Sequence, residues 1–180
     1  MPPTPTRRRL SARLAGAALA ACLGACAPAE DAAPPNVVLV VLDTLRTDHM
    51  SAYGYPYETT PAMDALADAG ALFENCTAQA SWTMPSMISL MTGLPIFTTI
   101  YRIPEQQPLL AERFAEAGYR TAGYVANSLV SEHAGFRRGI EDWDIRQEKT
   151  RYWRAEEIID RGLTFLDGDD GRPFLLWMHF

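Results

Sequence analysis

Cysteine is scarce in this sequence, with three in 180 residues. Two of them, Cys22 and Cys26, fall in the apolar N-terminal stretch, so Cys76 stands alone in the remainder. That remainder can build neither an internal disulfide nor a cysteine-based metal site. Long hydrophobic runs are also lacking: the apolar stretch 14–26, LAGAALAACLGAC, is shorter than the roughly 20 residues a spanning helix needs. Positive charge is short as well. Arg7, Arg8, Arg9 and Arg13 account for four of the 16 basic residues, and without them 12 basic residues face 22 acidic ones, a balance of −10. Such a chain has no electrostatic footprint for nucleic acid and no polybasic membrane surface.

What is present begins with a leader. An arginine-bearing, acid-free segment precedes the apolar stretch, the order of a secretory n-region and h-region. Leu23-Gly24-Ala25-Cys26 resembles the lipobox of bacterial lipoproteins, and Leu19-Ala20-Ala21-Cys22 fits the same pattern. Cys26 gives the fuller apolar core and is followed at once by an Ala- and Pro-rich stretch; Cys22 is the alternative acylation site. The expected organisation is a signal peptide over 1–26, a flexible tether over 27–35 and a folded region over 36–180. The expected location is outside the cytoplasm, lipid-anchored to the bacterial cell envelope at the outer membrane or facing the periplasm, and secreted if the cysteine is not acylated.

In the folded region the unbroken apolar run Asn36 to Leu42 predicts a strand buried on both faces of a parallel sheet. Thr60-Pro61 opens a helix that Gly70 stops, and Ala71 to Thr77 reads as a short strand. Helices are expected over Ser86 to Met91 and Gln106 to Ala117, with a strand over Thr121 to Ala126. Ala155, Ile158, Ile159, Leu163 and Leu166 give helical spacing within 151–166. The closing PFLLWMHF reads as a central strand that stops without turn or polar tail. Alternating strands and helices predict an α/β fold, a mostly parallel sheet with helices on both faces.

Strand 36–42 delivers Asp43 to its carboxyl end, the edge where open α/β sheets bind ligands, and a carboxylate there suits a divalent cation. Thr83 falls at the start of a helix, where free N–H groups and the helix dipole favour an alkoxide or a bound oxyanion; the same hydroxyl could simply cap the helix. His49 follows Asp48 in the loop after the Asp43 strand, as an ordering residue or a surface one. Trp82 either walls a pocket or packs in the core. His133 lies in a polar loop.

Over 36–180 the sequence resembles sulfatase-like proteins of the alkaline phosphatase superfamily. The residues that carry the likeness are Asp43, Arg46, Asp48, Tyr53-Gly54-Tyr55, Thr60-Pro61, Asp64, Leu66-Ala67, Gly70, Phe73, Pro85-Ser86 and Leu90 to Gly93, followed by Gly118 to Ala122, Asn127, Phe136, Arg138-Gly139 and Pro173 to Phe180. The resemblance implies the alkaline phosphatase/sulfatase fold, Asp43 as a metal ligand and Thr83 as the nucleophile. Arg46, Asp48, His49, Trp82, Ser86 and Asn127 are then ordering or pocket residues. It implies a divalent cation (calcium, magnesium, manganese or zinc) and an anionic ester substrate, such as a glycan or a lipid headgroup.

Several positions depart from the family pattern. Sulfatases carry C-x-P-S-R, whose cysteine becomes formylglycine; here those places hold Thr83, Pro85, Ser86 and Met87. Thr44 replaces a second aspartate, and Ala126 and Ser128 stand near a segment that would offer lysine and histidine. The family's later Asp-His ligands and its catalytic P-H-x-P histidine fall past Phe180, so that catalytic role does not pass to His179, and the catalytic domain is expected to be truncated here. Three readings follow: a metal-dependent sulfate-ester hydrolase, incomplete in this chain; a phosphoester hydrolase or phosphoethanolamine-type transferase using Thr83; or a non-catalytic sulfatase-like binding lipoprotein. A sheet lacking later strands is also expected to expose an apolar edge and face.

Overall fold

The computed structural model describes residues 33–95, 101–145 and 153–180. The chain divides into Met1–Pro34 and Pro35–Phe180, and the second unit carries the fold. The expected signal peptide, Cys22, Cys26 and the tether as far as residue 32 lie outside the described residues. No described helix is long and apolar enough to cross a membrane.

Four parallel strands make the sheet: β1 (Val37–Val41), β2 (Arg120–Val125), β3 (Asp142–Ile145) and β4 (Phe174–His179), in the order β1-β4-β2-β3. Among the described residues four helices accompany them, α1 (Pro61–Ala69), α2 (Thr83–Thr92), α3 (Leu110–Glu116) and α4 (Ala155–Asp167), with short 3-10 turns at Thr47–His49 and Ser51–Tyr53. Helices cover both faces. On one, Met84, Met87, Ile88 and Met91 of α2 and Ala111 of α3 pack with Leu109, Phe136, Val125, Leu175 and Trp177. On the other, Ile158 and Phe165 of α4 pack on Ala122, Tyr124 and Leu176. The alternation of Leu175 and Trp177 against Leu176 along β4 is the period-2 consequence of an extended backbone. Each large side chain fully buried in this way contributes about 1.5–3 kcal/mol.

Central β2 is buried along its whole length, whereas β1 is an edge strand. Val37, Leu39 and Val41 face the α2 side, but Val38 and Val40 are each 50% exposed, contrary to the burial on both faces that the apolar run predicts. Nothing among the described residues covers that half of the strand, because α4 packs over β2 and β4 instead.

Other boundaries move for local reasons. Helix α2 starts three residues before the expected Ser86, since Pro85 fits the first helical turn, where its missing N–H has no acceptor to lose. Gly93 ends α2 in the left-handed region at φ 69° and donates its N–H to the Ser89 carbonyl at 2.8 Å. Helix α3 starts four residues after Gln106 because Pro108 keeps the preceding backbone out of helix; the Leu109 N–H then donates to the Glu112 carboxylate at 2.9 Å. Ala71 to Thr77 forms no strand.

Helix α4 buries Ile158, Gly162 and Phe165, leaving Ile159, Leu163 and Leu166 of the expected stripe partly exposed. Gly162 sets this face. A Cβ there would lie 2.8 Å from the sulfur of Met178, so a side chain at this position would require Met178 to shift. Strand β3 has no signal in the sequence pattern: Asp142 and Asp144 give it a polar edge, held by the Tyr124 hydroxyl donating to Asp142 at 2.6 Å and by Arg161 paired with Asp144 at 2.8 Å. Burial and that hydrogen bond push the Tyr124 phenol well above its ordinary pKa.

Candidate active site at the carboxyl edge of the sheet

Parallel strands bring their carboxyl ends to one edge, and three side chains separated in sequence converge there. Beyond β1, the Asp43 N–H donates to the Phe180 carbonyl at 3.0 Å, and Phe180 returns its N–H to Val41 at 2.9 Å. The ladder therefore holds Asp43 one step past the sheet. Thr44 then turns the chain away at φ 57°, a left-handed conformation rare for a β-branched residue that costs of order 1–3 kcal/mol. Strain of that size is maintained at functional edges more often than in ordinary turns.

Thr83 is the first residue of α2, following the extended Trp82. The first helical amides have no acceptor within the helix, and with Pro85 third, those of Thr83 and Met84 are left at the helix start. The Thr83 hydroxyl is shared between both Asp43 carboxylate oxygens, at 3.1 and 3.2 Å. Asn127, two residues past β2, donates its side-chain amide to Asp43 at 2.6 Å, while its own oxygen accepts the Leu129 N–H at 2.9 Å. Asn127 is thus fixed by two bonds and presents a donor, not an oxygen ligand, to the carboxylate.

A cavity of about 290 Å³ opens on this cluster, lined by Asp43, Thr44, Trp82, Thr83, Ser86, Met87 and His179 among others. Trp82 is 44% exposed and lies against the Tyr101 ring at 6.1 Å. It therefore walls the cavity mouth and does not pack in the core. Ser86 lies one turn along α2 and borders a second hollow, of about 550 Å³, between α2 and the segment carrying Phe73 and Cys76. Met87, in the place of the sulfatase arginine, is buried in the α2 core cluster, so this wall of the cavity is apolar.

Arg46, Asp48 and His49 form a separate group. Arg46 grips the Asp48 carboxylate through two nitrogens at 2.8 and 2.5 Å, and His49 Nδ1 lies 3.1 Å from the same group. These partners hold the Asp48 carboxyl well below the ordinary carboxylate range. All three side chains are more than half exposed, His49 stacks on Tyr55 at 5.0 Å, and none lines the Thr83 cavity. His133 is exposed on its loop and also stands apart. Asp64, another residue of the resemblance, has a structural role: it accepts from Ser51 at 2.5 Å, Ala52 N–H at 3.0 Å and Thr60 at 3.1 Å, tying α1 to the turn before it.

For a divalent cation, Asp43 has the right chemistry for one ligand, a hard carboxylate oxygen at a strand end. The described residues hold no group of three or more His, Cys, Asp or Glu side chains able to complete such a site. His179, set aside on sequence grounds, is brought into the cavity wall: it is wholly buried, and neither ring nitrogen has a hydrogen-bond partner among the described residues. The sequence carries one sign of it, a histidine interrupting an otherwise apolar strand.

The profile of the Sulfatase family matches residues 35–180. Over 191 aligned residues the chain is 27% identical to N-acetylglucosamine-6-O-sulfatase of Bacteroides thetaiotaomicron, covering 92% of this chain and 33% of the relative. It is 36% identical over 101 residues to arylsulfatase A of Bos taurus, covering 50% of this chain and 20% of that one. Among solved structures, a protein in complex with its substrate D-glucosamine-2-N,6-O-disulfate superposes with a TM-score of 0.71 at 25% identity, over 81% of this chain and 34% of the other. The C-terminal periplasmic domain of EcEptC from Escherichia coli, in complex with zinc, shares the fold, with a TM-score of 0.65 at 24% identity over 82% and 43%. The chain spans about a third or less of the length of these curated relatives.

Proposed function

The chain belongs to the sulfatase family, and from that premise we propose that the protein of which it forms the N-terminal part hydrolyses sulfate esters through the Thr83 hydroxyl. One observation carries the proposal: Thr83, at the amino end of α2, hydrogen-bonds Asp43 at the carboxyl edge of the sheet. The hydroxyl oxygen attacks sulfur as the S–O bond to the ester's alcohol breaks, the hydroxyl proton leaving with that alcohol, and water then cleaves the Thr83 sulfate ester to return the hydroxyl and release sulfate; the helix start offers N–H groups to the anionic oxygens that gather charge. Asn127 fixes the rotamer of Asp43, and Trp82 shields one side of the cavity from water. Asp43 would be this chain's ligand to a divalent cation, whose chemistry when bound is to polarise the ester and favour the alkoxide.

Because Thr83 cannot become formylglycine, an unmodified hydroxyl would do the work. That favours a second reading, phosphoryl chemistry by a phosphoester hydrolase or a phosphoethanolamine-type transferase. The glycan-ester substrates named for the relatives make a sulfated sugar the first substrate class to test. Residues 1–26 would export the protein and Cys26, or Cys22, would anchor it by acylation.

Turnover of an aryl sulfate, a sulfated amino sugar, a phosphomonoester and a phosphodiester by the whole protein tests the proposal. Cleavage of sulfate esters alone, abolished in Thr83→Ala, is the expected result. Preference for a phosphoester selects the second reading, and turnover that survives Thr83→Ala removes the nucleophile. No turnover of any ester together with no tight divalent-ion binding would move the protein to the non-catalytic binding role. Radiolabelled palmitate incorporated by the wild type but not by Cys26→Ala would establish the anchor.

A further inference from the structure

His179 is the one wholly buried ionisable side chain at the sheet edge among the described residues, and the roles proposed for Asp43, Thr83 and Asn127 do not use it. In the sheet it pairs with Val41 of β1 and Val125 of β2. Two residues beyond those partners, just past the ends of β1 and β2, come Asp43 and Asn127, and Asp43 lines the same cavity as His179. His179 therefore lies in the row immediately beneath the Asp43–Asn127 hydrogen bond, on the α2 side, as its ring contact with core residue Trp177 at 6.4 Å confirms.

Its exposure is zero and both ring nitrogens lack partners among the described residues. Interiors seldom leave polar atoms in that state, because each forfeits its bonds to water. Burial pushes the imidazole pKa down against the opposing pull of Asp43, which favours the neutral ring; a neutral imidazole has one nitrogen carrying a proton and one able to accept. Nearby, the Thr83 hydroxyl is poorly served. It is split between two oxygens at 3.1 and 3.2 Å, on a carboxylate that Asn127 holds at 2.6 Å. A carboxylate that also serves as a ligand is a still poorer acceptor.

We infer that His179 is a positioning residue for Thr83, its unprotonated ring nitrogen taking the hydroxyl hydrogen bond from within the shared cavity and aiming the oxygen lone pair outward at the ester. The two residues line one cavity, and the role involves no covalent change and no net movement of a proton. This role rests on the proposed function of Thr83.

The test uses the whole protein and three variants, His179→Phe, His179→Asn and His179→Gln, beside Thr83→Ala. In His179→Phe, kcat is expected to fall by about a hundredfold, the loss typical of a misaimed group, with KM within about twofold. The Tm is expected to hold or rise, because an apolar ring of similar size removes the orphaned atoms. One of the two amides, which retain an acceptor oxygen, should recover part of kcat. An unchanged kcat in His179→Phe, or a fall in kcat accompanied by a lower Tm and no recovery in either amide, overturns the inference and assigns the ring to packing. If the wild type turns over and Thr83→Ala does not, such a failure concerns His179 alone; a wild type that cleaves no ester defeats the function proposed for Thr83 and this role with it.

Discussion

Two groups of polar side chains stand after β1, and they are built in opposite ways. Arg46, Asp48 and His49 are neighbours in sequence, hydrogen-bond to one another through their side chains, and stay more than half exposed. Asp43, Thr83 and Asn127 are 40 and 84 residues apart in their hydrogen bonds and meet only because β1, α2 and β2 converge on one sheet edge. Shorter distances do not make the first group the stronger site. A solvent-exposed ion pair is screened by water and adds little however close its atoms, whereas the second group is held by backbone ladders and borders a cavity. A site able to do chemistry needs its geometry fixed by elements that do not themselves react.

The sharpest way to break this contrast is Thr83→Ala. Loss of a nucleophile is expected to lower kcat by at least about a thousandfold, measured on whichever ester the wild type cleaves, with the far-UV spectrum unchanged. Asp43→Asn should rank next, at about 10²–10³-fold in kcat/KM, together with weaker divalent-ion affinity by calorimetry. It would also set an amide against the Asn127 donor.

Asn127→Ala sharpens the comparison. It leaves Asp43 in place but frees its rotamer, so kcat should fall about tenfold while chemical denaturation shows a loss of about 1 kcal/mol for the hydrogen bond. Away from both groups, Gly162→Val tests the α4 contact: forcing a branched side chain against Met178 should cost about 1–3 kcal/mol without changing KM.

The smallest effect belongs to the exposed group. The Asp48 carboxyl is depressed by Arg46 and His49, so its pairing favours the folded state above the ordinary carboxylate pKa and is lost as pH falls through the depressed value. Water screens an exposed pair. Asp48→Asn is therefore expected to leave the acid-unfolding curve and kcat almost unchanged; a large drop in either would place that group in the site after all.

Local signals make part of the fold legible in the chain. Val37 to Val41, Pro61 to Ala69 and Phe174 to His179 are visible there because apolar period, helix caps and chain turns act over a few residues. Asp43 and Thr83 are visible as the residue past a strand and the residue opening a helix. The exposed half of β1 is not, since a valine run looks the same whether or not a second layer covers it. Strand β3 is hidden by its aspartates, which satisfy their charges on Tyr124 and Arg161, far away in sequence.

The sequence by itself determined the α/β alternation, the acidic balance, the single cysteine after residue 26 and the replacement of cysteine by threonine before Pro85-Ser86, for these are properties of residues and their spacing. Only the tertiary structure decided that Asn127 holds Asp43, that Arg46 and His49 stand aside, and that His179 lines the cavity without a hydrogen-bond partner among the described residues. Those outcomes depend on strand order and on which face of a strand a side chain takes, and both are set by packing between segments far apart in the chain.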